Sequence, residues 1–357
     1  MKDTVRNLGQ MRKKINSIFF YDVKSFIGCL AHELHDPSRE QYVLSCREAL
    51  PPSSFSYDFC NEGLPDNHPK AAAFFPVYFY ELTNCRQSID TGVVFLDQKE
   101  LIAEEFSWGW GKTRTNSSPS WRIKRTREIF FEEPVFICAG RGYHGIVDDL
   151  THVAFFYDWL EEATIILSES NNYLHGLIVE LFPELKIATV PDGMLIYAKH
   201  LLATTKTPLA EFVQPQLLSA LQRVASERMP VKRVNSKNIY ISRKNTAKRC
   251  WPDENFLENL MYNEGFSVIK FEELKIFEQL DVMLNAEIVV GRHGAGLANI
   301  CFSKKNLQII EIFDRAHFNA CYSSMAAALN HKYFAVPMHS KNDDPGHVFE
   351  RVMSCLR

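Results

Sequence analysis

The amino-acid sequence predicts an α/β protein of two Rossmann-like domains, each built on a mainly parallel, doubly wound sheet, with a cleft between them. At 357 residues the chain is long for one hydrophobic core, since single cores rarely grow beyond ~250 to 300 residues. Helical and strand-like apolar patterns alternate over residues 143–190, and alternate again, more regularly, over residues 238–336. Strands separated by helices of ~10 to 15 residues require crossover connections, which are right-handed and pair the strands in parallel.

Taken in order, residues before about 70 carry turn formers at 51–52 and 65–69 but no readable period. A β-rich stretch follows, with strands predicted at 77–82, 92–96 and 133–138. Within it, residues 108–121 form a Gly/Ser/Asn loop with three of the five tryptophans, suited either to stacking on a sugar ring or to anchoring in a hydrophobic corner. The alternation then begins: helix 143–160, strand 163–167, helix 173–181, strand 186–190. A polar connector at 203–208 marks a boundary near residue 210, giving domains 1–210 and 211–357. The second half has strands at 238–242, 266–270, 287–290, 308–313 and 333–336, with helices at about 253–263, 272–286, 296–302 and 317–330.

Bulk chemistry narrows the function. A net charge of -3 gives no dominant basic surface, so no nucleic-acid partner is expected. The nine cysteines are scattered and odd in number, with no CxxC pair; Cys138 sits in the apolar run Val-Phe-Ile-Cys-Ala, as a reduced core cysteine would. No run reaches the ~18 apolar residues of a membrane span, and a cytoplasmic protein is expected. Residues 11–20 mix basic and apolar side chains, which suits either a peripheral contact at the inner face of a membrane or a solvated helix start. Oligomeric state has no signal in the sequence.

Open parallel sheets bind ligands beyond the carboxyl ends of their strands, so the residues that directly follow strands carry the chemistry. Strand 287–290 runs into Gly291-Arg-His-Gly-Ala-Gly-Leu297 and then a helix. Glycine there permits close backbone approach, and a helix start offers unpaired N–H donors and a positive dipole end, a combination suited to a diphosphate. Tight packing of strand on helix selects glycine as well. Strand 238–242 delivers Ser242-Arg-Lys-Asn-Thr-Ala-Lys-Arg249, four cations within seven residues, as phosphate counter-charge or as a solvated loop. Glu311 lies inside the apolar strand Ile309-Ile-Glu-Ile-Phe313, where a carboxylate is costly unless it is paired or accepts hydrogen bonds, for example from a ribose. In the first half, Tyr143-His-Gly-Ile-Val-Asp148 places His144 and Asp148 four apart on one helical face, and a carboxylate-backed imidazole is a good general base.

The segment His293-Gly-Ala-Gly-Leu-Ala-Asn-Ile-Cys-Phe302 resembles the HGAGL motif of glycosyltransferase family 61. Tyr240-Ile-Ser-Arg243, Phe277-Glu-Gln279, Ile309-Ile-Glu-Ile312 and 327–333 are similar to other motifs of that family, in the same order, so the resemblance covers roughly residues 235–337. It extends more weakly to residues 143–148, which look like the family's Y-H-W-x-x-D with Gly145 in place of Trp. The resemblance implies a GT-B architecture and inverting transfer from a nucleotide sugar, a UDP-sugar, to a glycan or glycolipid hydroxyl, as in surface polysaccharide synthesis. It implies no cofactor besides that donor and no metal; the chain has no Asp-x-Asp triplet. The donor would meet Ser242, Arg243, Lys244, His293, Gly294, Ala295, Gly296, Leu297 and Glu311. His144 is the expected base, oriented by Asp148, with Asp148 or Asp149 acting directly as the alternative. A relative that kept the fold and lost catalysis is the competing reading. A dinucleotide oxidoreductase fits worse, because the glycine turn lacks GxGxxG spacing.

Overall fold

The computed structural model describes residues 41, 43–50, 53–56, 71–74, 77–96, 102–103, 106–107, 127–207, 210, 213–229, 237–244, 251–303, 306–314, 319–338 and 343–357. The tryptophan-bearing loop 108–121, the turn formers 51–52 and 65–69, the segment 11–20 and the basic-loop residues 245–249 lie outside them. Two compact units meet in the sequence at Phe212 and Val213.

The first unit holds strands β1 (Val43–Leu50), β2 (Ser53–Ser56), β3 (Ala71–Phe74), β4 (Val77–Ser88), β5 (Val94–Phe95), β6 (Ile102–Ala103), β7 (Glu128–Cys138), β8 (Thr164–Ser168), β9 (Lys186–Val190) and β10 (Leu195–Thr204). Its eight-stranded sheet runs β6-β5-β4-β10-β7-β8-β9, with β1 also on β4; β2 and β3 pair separately. Strands β10, β7, β8 and β9 are mutually parallel, whereas β4 is antiparallel to β1, β5 and β10. The expectation of a mainly parallel, doubly wound sheet is therefore corrected here: this sheet is mixed. The β-branched and aromatic Val-Tyr-Phe-Tyr-Glu-Leu run announces a strand but carries no information about its direction.

Local sequence explains the strands' burial. Parallel strands covered on both faces read as continuous apolar runs, and Ile165, Ile166 and Leu167 of β8 are all fully buried. Strand β7 changes character along its length: its first six residues keep exposed charges, while Val135 to Cys138, the stretch that pairs with β8, is buried throughout. The helical segment after β7 is interrupted rather than continuous. A π-helical turn, Gly145–Leu150, leads into an α-helix, Thr151–Phe155, and a break at Phe156 precedes Tyr157–Leu160. Asn172–Leu181 is an α-helix that buries Leu174, Leu177, Ile178 and Leu181, the i, i+3, i+4, i+7 stripe expected of a core-facing helix.

The second unit is the more regular. After the helix Pro215–Arg228, strands β11 (Asn238–Ile241), β12 (Ser267–Ile269), β13 (Ile288–Arg292), β14 (Gln308–Asp314) and β15 (Lys332–Met338) form a sheet ordered β12-β11-β13-β14-β15, parallel at every pair. Helices Glu254–Asn263, Ile276–Asn285, Cys321–Ala328 and Pro345–Ser354 and the 3-10 helix Ala295–Phe302 complete it. Local chemistry sets their starts. Glu278 accepts the Lys275 N–H at 2.8 Å, and Pro345 follows Asp344, whose carboxylate accepts the His347 N–H at 2.9 Å. Tyr240, Val290, Ile310 and Val336 from four adjacent strands share one core cluster, and each such aliphatic side chain contributes ~1.5 to 3 kcal/mol by leaving water.

In this strand order the chain leaves β11 towards β12 on one side and leaves its neighbour β13 towards β14 on the other. That is a topological switch point, where the loops after two neighbouring strands diverge and leave a crevice at their carboxyl ends. The loop after β11 begins at Ser242 and the loop after β13 at His293.

Candidate active site

At the switch point the sequence folds a cation against a glycine. A side-chain carbon placed on Gly294 would overlap the Arg243 guanidinium, and its nearest neighbours are all atoms of that group. The Gly294 backbone is extended, φ 166° and ψ 171°, so conformational freedom is not the reason for glycine; space for Arg243 is. The buried carboxylate of Glu254, at the start of helix Glu254–Asn263, organises this corner. It accepts from the Tyr240 hydroxyl at 2.8 Å, the Arg243 backbone N–H at 3.1 Å and Arg292 Nη1 at 3.3 Å. Arg292, whose guanidinium also lies 5.6 Å from the centre of the Trp251 ring, is thereby committed to structure. Burial first, then Glu254, pushes the Tyr240 phenol well above its ordinary range, so it stays a donor.

His293 is set by a carboxylate beneath it. Its Nδ1 lies 2.5 Å from Glu311 Oε1, its backbone N–H bonds the Ile312 carbonyl at 2.8 Å, and Tyr333 donates to Glu311 Oε2 at 2.6 Å. Glu311 is 0% exposed. Both its oxygens have protein partners, and the carboxylate fixes the His293 ring. The ionised carboxylate favours the tautomer with the proton on Nδ1, leaving Nε2 as the acceptor or, once protonated, a second donor. The Tyr322 hydroxyl, bonded at 2.6 Å to the Gly294 carbonyl, closes the turn, and its ring meets His293 edge-on at 5.2 Å.

The remaining expected donor-site residues separate. Ser242 is buried and its hydroxyl donates to Glu258, while Lys244 is exposed one turn further on. Ala295 is exposed at the start of the 3-10 helix, and Leu297 is a fully buried core residue. A side chain at Gly296 would point to Ile241 at 3.1 Å and Phe271 at 3.6 Å, so this glycine lets the helix pack on β11.

In the first unit, β7 ends at Cys138 and the chain turns through Gly140 into the π-helical turn. A side-chain carbon at Gly140 would lie 2.6 Å from the His144 backbone, so only glycine lets the turn close. His144 Nδ1 lies 2.6 Å from Asp148 Oδ2, with the imidazole partly exposed and the carboxylate buried. Gly145 stands where the family motif has Trp; its Cα faces the Gly140 carbonyl, 2.9 Å from where a side-chain carbon would begin.

Sequence reasoning missed four contributors here. Lys206 and Thr207 belong to 203–208, read as a polar connector, yet β10 extends through Thr204 and residues 204 to 207 are all buried. Thr207 donates to Asp148 Oδ1 at 3.2 Å, and Lys206 reaches the Asp148 carbonyl at 2.5 Å and Asp149 Oδ1 at 3.1 Å. Asp149 Oδ2 accepts the Gly140 N–H at 2.6 Å. Glu254 had a readable signal, an acidic residue in the first turn after Pro252-Asp253. Tyr333 had none. Among the described residues no group of three or more His, Cys, Asp or Glu gathers as a metal site, no helix is long and apolar enough to cross a membrane, and the six cysteines are free.

Together these features define an α/β protein with a cationic crevice at the switch point of its parallel sheet and a carboxylate-backed histidine after a strand of its mixed sheet. The chain belongs to the glycosyltransferase 61 family: the model described as Glycosyltransferase 61 matches residues 129–310, just over half of it. It is also similar to the EGF domain-specific O-linked N-acetylglucosamine transferase of Drosophila melanogaster, 28% identical over 96 residues. That match covers 26% of this chain and 18% of the length of the relative.

Proposed function

We propose that the chain is an inverting, metal-independent glycosyltransferase of the GT-B type that moves a sugar from a nucleotide sugar, a UDP-sugar, to a hydroxyl of a glycan or glycolipid. The observation that carries this reading is the seating of the Arg243 guanidinium against Gly294 at the switch point, beside the oriented His293. A diphosphate bound there meets a planar guanidinium capable of two parallel hydrogen bonds and the N–H groups at the start of the 3-10 helix Ala295–Phe302. As the bond from sugar to diphosphate breaks, these donors stabilise the growing negative charge on the departing UDP, with His293 as a further donor.

Inversion needs a base to take the proton of the attacking hydroxyl on the face opposite the leaving group. His144 takes that proton at Nε2, with Nδ1–H held by Asp148. The acceptor oxygen then forms its bond to the anomeric carbon, and the bonding pair leaves with UDP. The name of the Drosophila relative adds an N-acetylglucosamine donor and a protein hydroxyl acceptor to the candidates.

Thermal unfolding against a panel of nucleoside diphosphates and nucleotide sugars, in chelator, tests the donor side. Saturating UDP at ~100 Kd should stabilise the protein by ~2.7 kcal/mol, whereas other nucleotides should not. Stabilisation only when a divalent metal is restored would remove metal independence, and indifference to every nucleotide would remove the donor site.

A further inference from the structure

Beside Asp148, the segment that follows β10 presents Lys206 and Thr207. The ammonium of Lys206 bonds the Asp148 carbonyl at 2.5 Å and Asp149 Oδ1 at 3.1 Å, and lies 5.4 Å from the centre of the Phe136 ring; its side chain is 5% exposed. Asp148 is thus gripped at three points: Oδ2 by His144, Oδ1 by the Thr207 hydroxyl, and its carbonyl by Lys206. Stability alone explains this poorly, because a buried ion pair is commonly no better for stability than apolar side chains of equal volume. Two consecutive buried carboxylates, Asp148 and Asp149, also repel each other unless a cation lies between them. Burial pushes the Asp149 carboxyl up from its ordinary range, while Lys206 and the Gly140 N–H pull it back.

We propose that Lys206, with Thr207, is the positioning residue of the His144–Asp148 pair, fixing the Asp148 carboxylate and setting the charge that His144 experiences. This rests on the reading of His144 as base only for its consequence in turnover. The titratable groups that face Lys206 include Asp148 and Asp149 of the π-helical turn, His152 on the following helix and Cys138 of β7; those facing His144 include Asp148, and the Tyr143 ring lies beside it. Removing the ammonium leaves a more negative cluster, which favours the imidazolium. Removing the Thr207 hydroxyl frees charge on Asp148 Oδ1 and acts in the same direction, more weakly.

The test follows the His144 ring signal by NMR as pH is varied, assigned by its loss in His144→Gln, in the wild type, Lys206→Met, Lys206→Arg and Thr207→Val. In parallel, the pH profile of transfer is recorded at saturating donor. In Lys206→Met the protonation midpoint of His144 should rise, because losing the cation beside Asp148 and Asp149 leaves a more negative cluster. Transfer should fall at least 10-fold with donor KM unchanged, its acid limb should move up with the midpoint, and Lys206→Arg should restore part of both. Should Lys206→Met not fold, Thr207→Val carries the same test with a smaller rise. A raised midpoint with an unmoved acid limb upholds the Lys206 assignment and overturns His144 as the base. An unmoved midpoint in both variants overturns the Lys206 assignment, whatever happens to the rate.

Discussion

Replacing Gly294 with alanine perturbs the donor crevice through one added methyl group. Because the backbone at Gly294 is extended, alanine adopts it without strain, and the cost falls on the neighbour: the new carbon claims the space of the Arg243 guanidinium. The far end of an arginine side chain can swing aside cheaply, so global stability should change by less than ~1 kcal/mol. What is lost is the seat from which Arg243 reaches a phosphate. A charge-assisted hydrogen bond contributes ~1.5 to 3 kcal/mol, which converts to a UDP Kd raised about 10- to 150-fold. Isothermal titration of UDP into the wild type, Gly294→Ala, Arg243→Ala and the double variant measures both the loss and its route. If the methyl acts through Arg243, the double variant should bind no worse than Arg243→Ala alone, because coupled sites are not additive. Normal UDP binding in Gly294→Ala would refute the placement of the diphosphate, and full additivity would refute the route through Arg243.

His144→Ala should leave UDP affinity nearly unchanged and lower transfer by the ~10²- to 10⁴-fold of a lost general base, with Asp148→Asn reproducing part of the loss; a live His144→Ala enzyme beside a dead Asp148→Asn would move the role to the carboxylate. Tyr333→Phe strands Glu311 Oε2 in a fully buried site and should cost ~1 to 3 kcal/mol in urea unfolding; an unchanged midpoint would show that this bond is dispensable. Acid should destabilise the fold. Burial holds His331 down at about 4 from its ordinary 6.5, and holds His152 well below that value, so between those limits the unfolded chain binds protons that the folded chain refuses. Stability from these two residues is complete above pH ~6.5 and falls as pH drops towards 4, by up to ~1.4 kcal/mol per pH unit for each histidine. His331→Gln should flatten the dependence of the urea midpoint between pH 7 and 5, and an equal slope in both proteins would contradict the assignment.

The second unit was legible because its function sits where its pattern is simplest. Short apolar strands alternate with helices, and the residues after β11 and β13 are those that the topology brings to the switch point. Direction of contact was less legible. Arg292 and His293 are adjacent, yet one turns to Glu254 and the other to Glu311, a choice made by partners 38 residues back and 18 residues ahead that no local pattern announces. A lone carboxylate in an apolar strand demands a partner, but the sequence does not say which; Tyr333 and His293 are partners of Glu311. In the first unit, 203–208 resembled a linker because its side chains are polar, and polarity signals solvent only when no buried partner satisfies it. Lys206 and Thr207 have such partners in Asp148 and Asp149, far away in the sequence. The mixed character of the first sheet escaped for a related reason, since period reveals a strand but pairing decides its direction.

The account rests most heavily on sugar transfer itself. The measurement that addresses it directly is release of UDP from a panel of UDP-sugars, in chelator and with hydroxyl acceptors present, by the wild type, Arg243→Ala and His144→Ala, with the anomeric configuration of any product read by NMR. The account expects the wild type to release UDP from at least one donor and to form a glycoside of inverted configuration, Arg243→Ala to need far more donor, and His144→Ala to bind donor but scarcely turn it over. A product of retained configuration, an absolute need for metal, or full activity in both variants would contradict it.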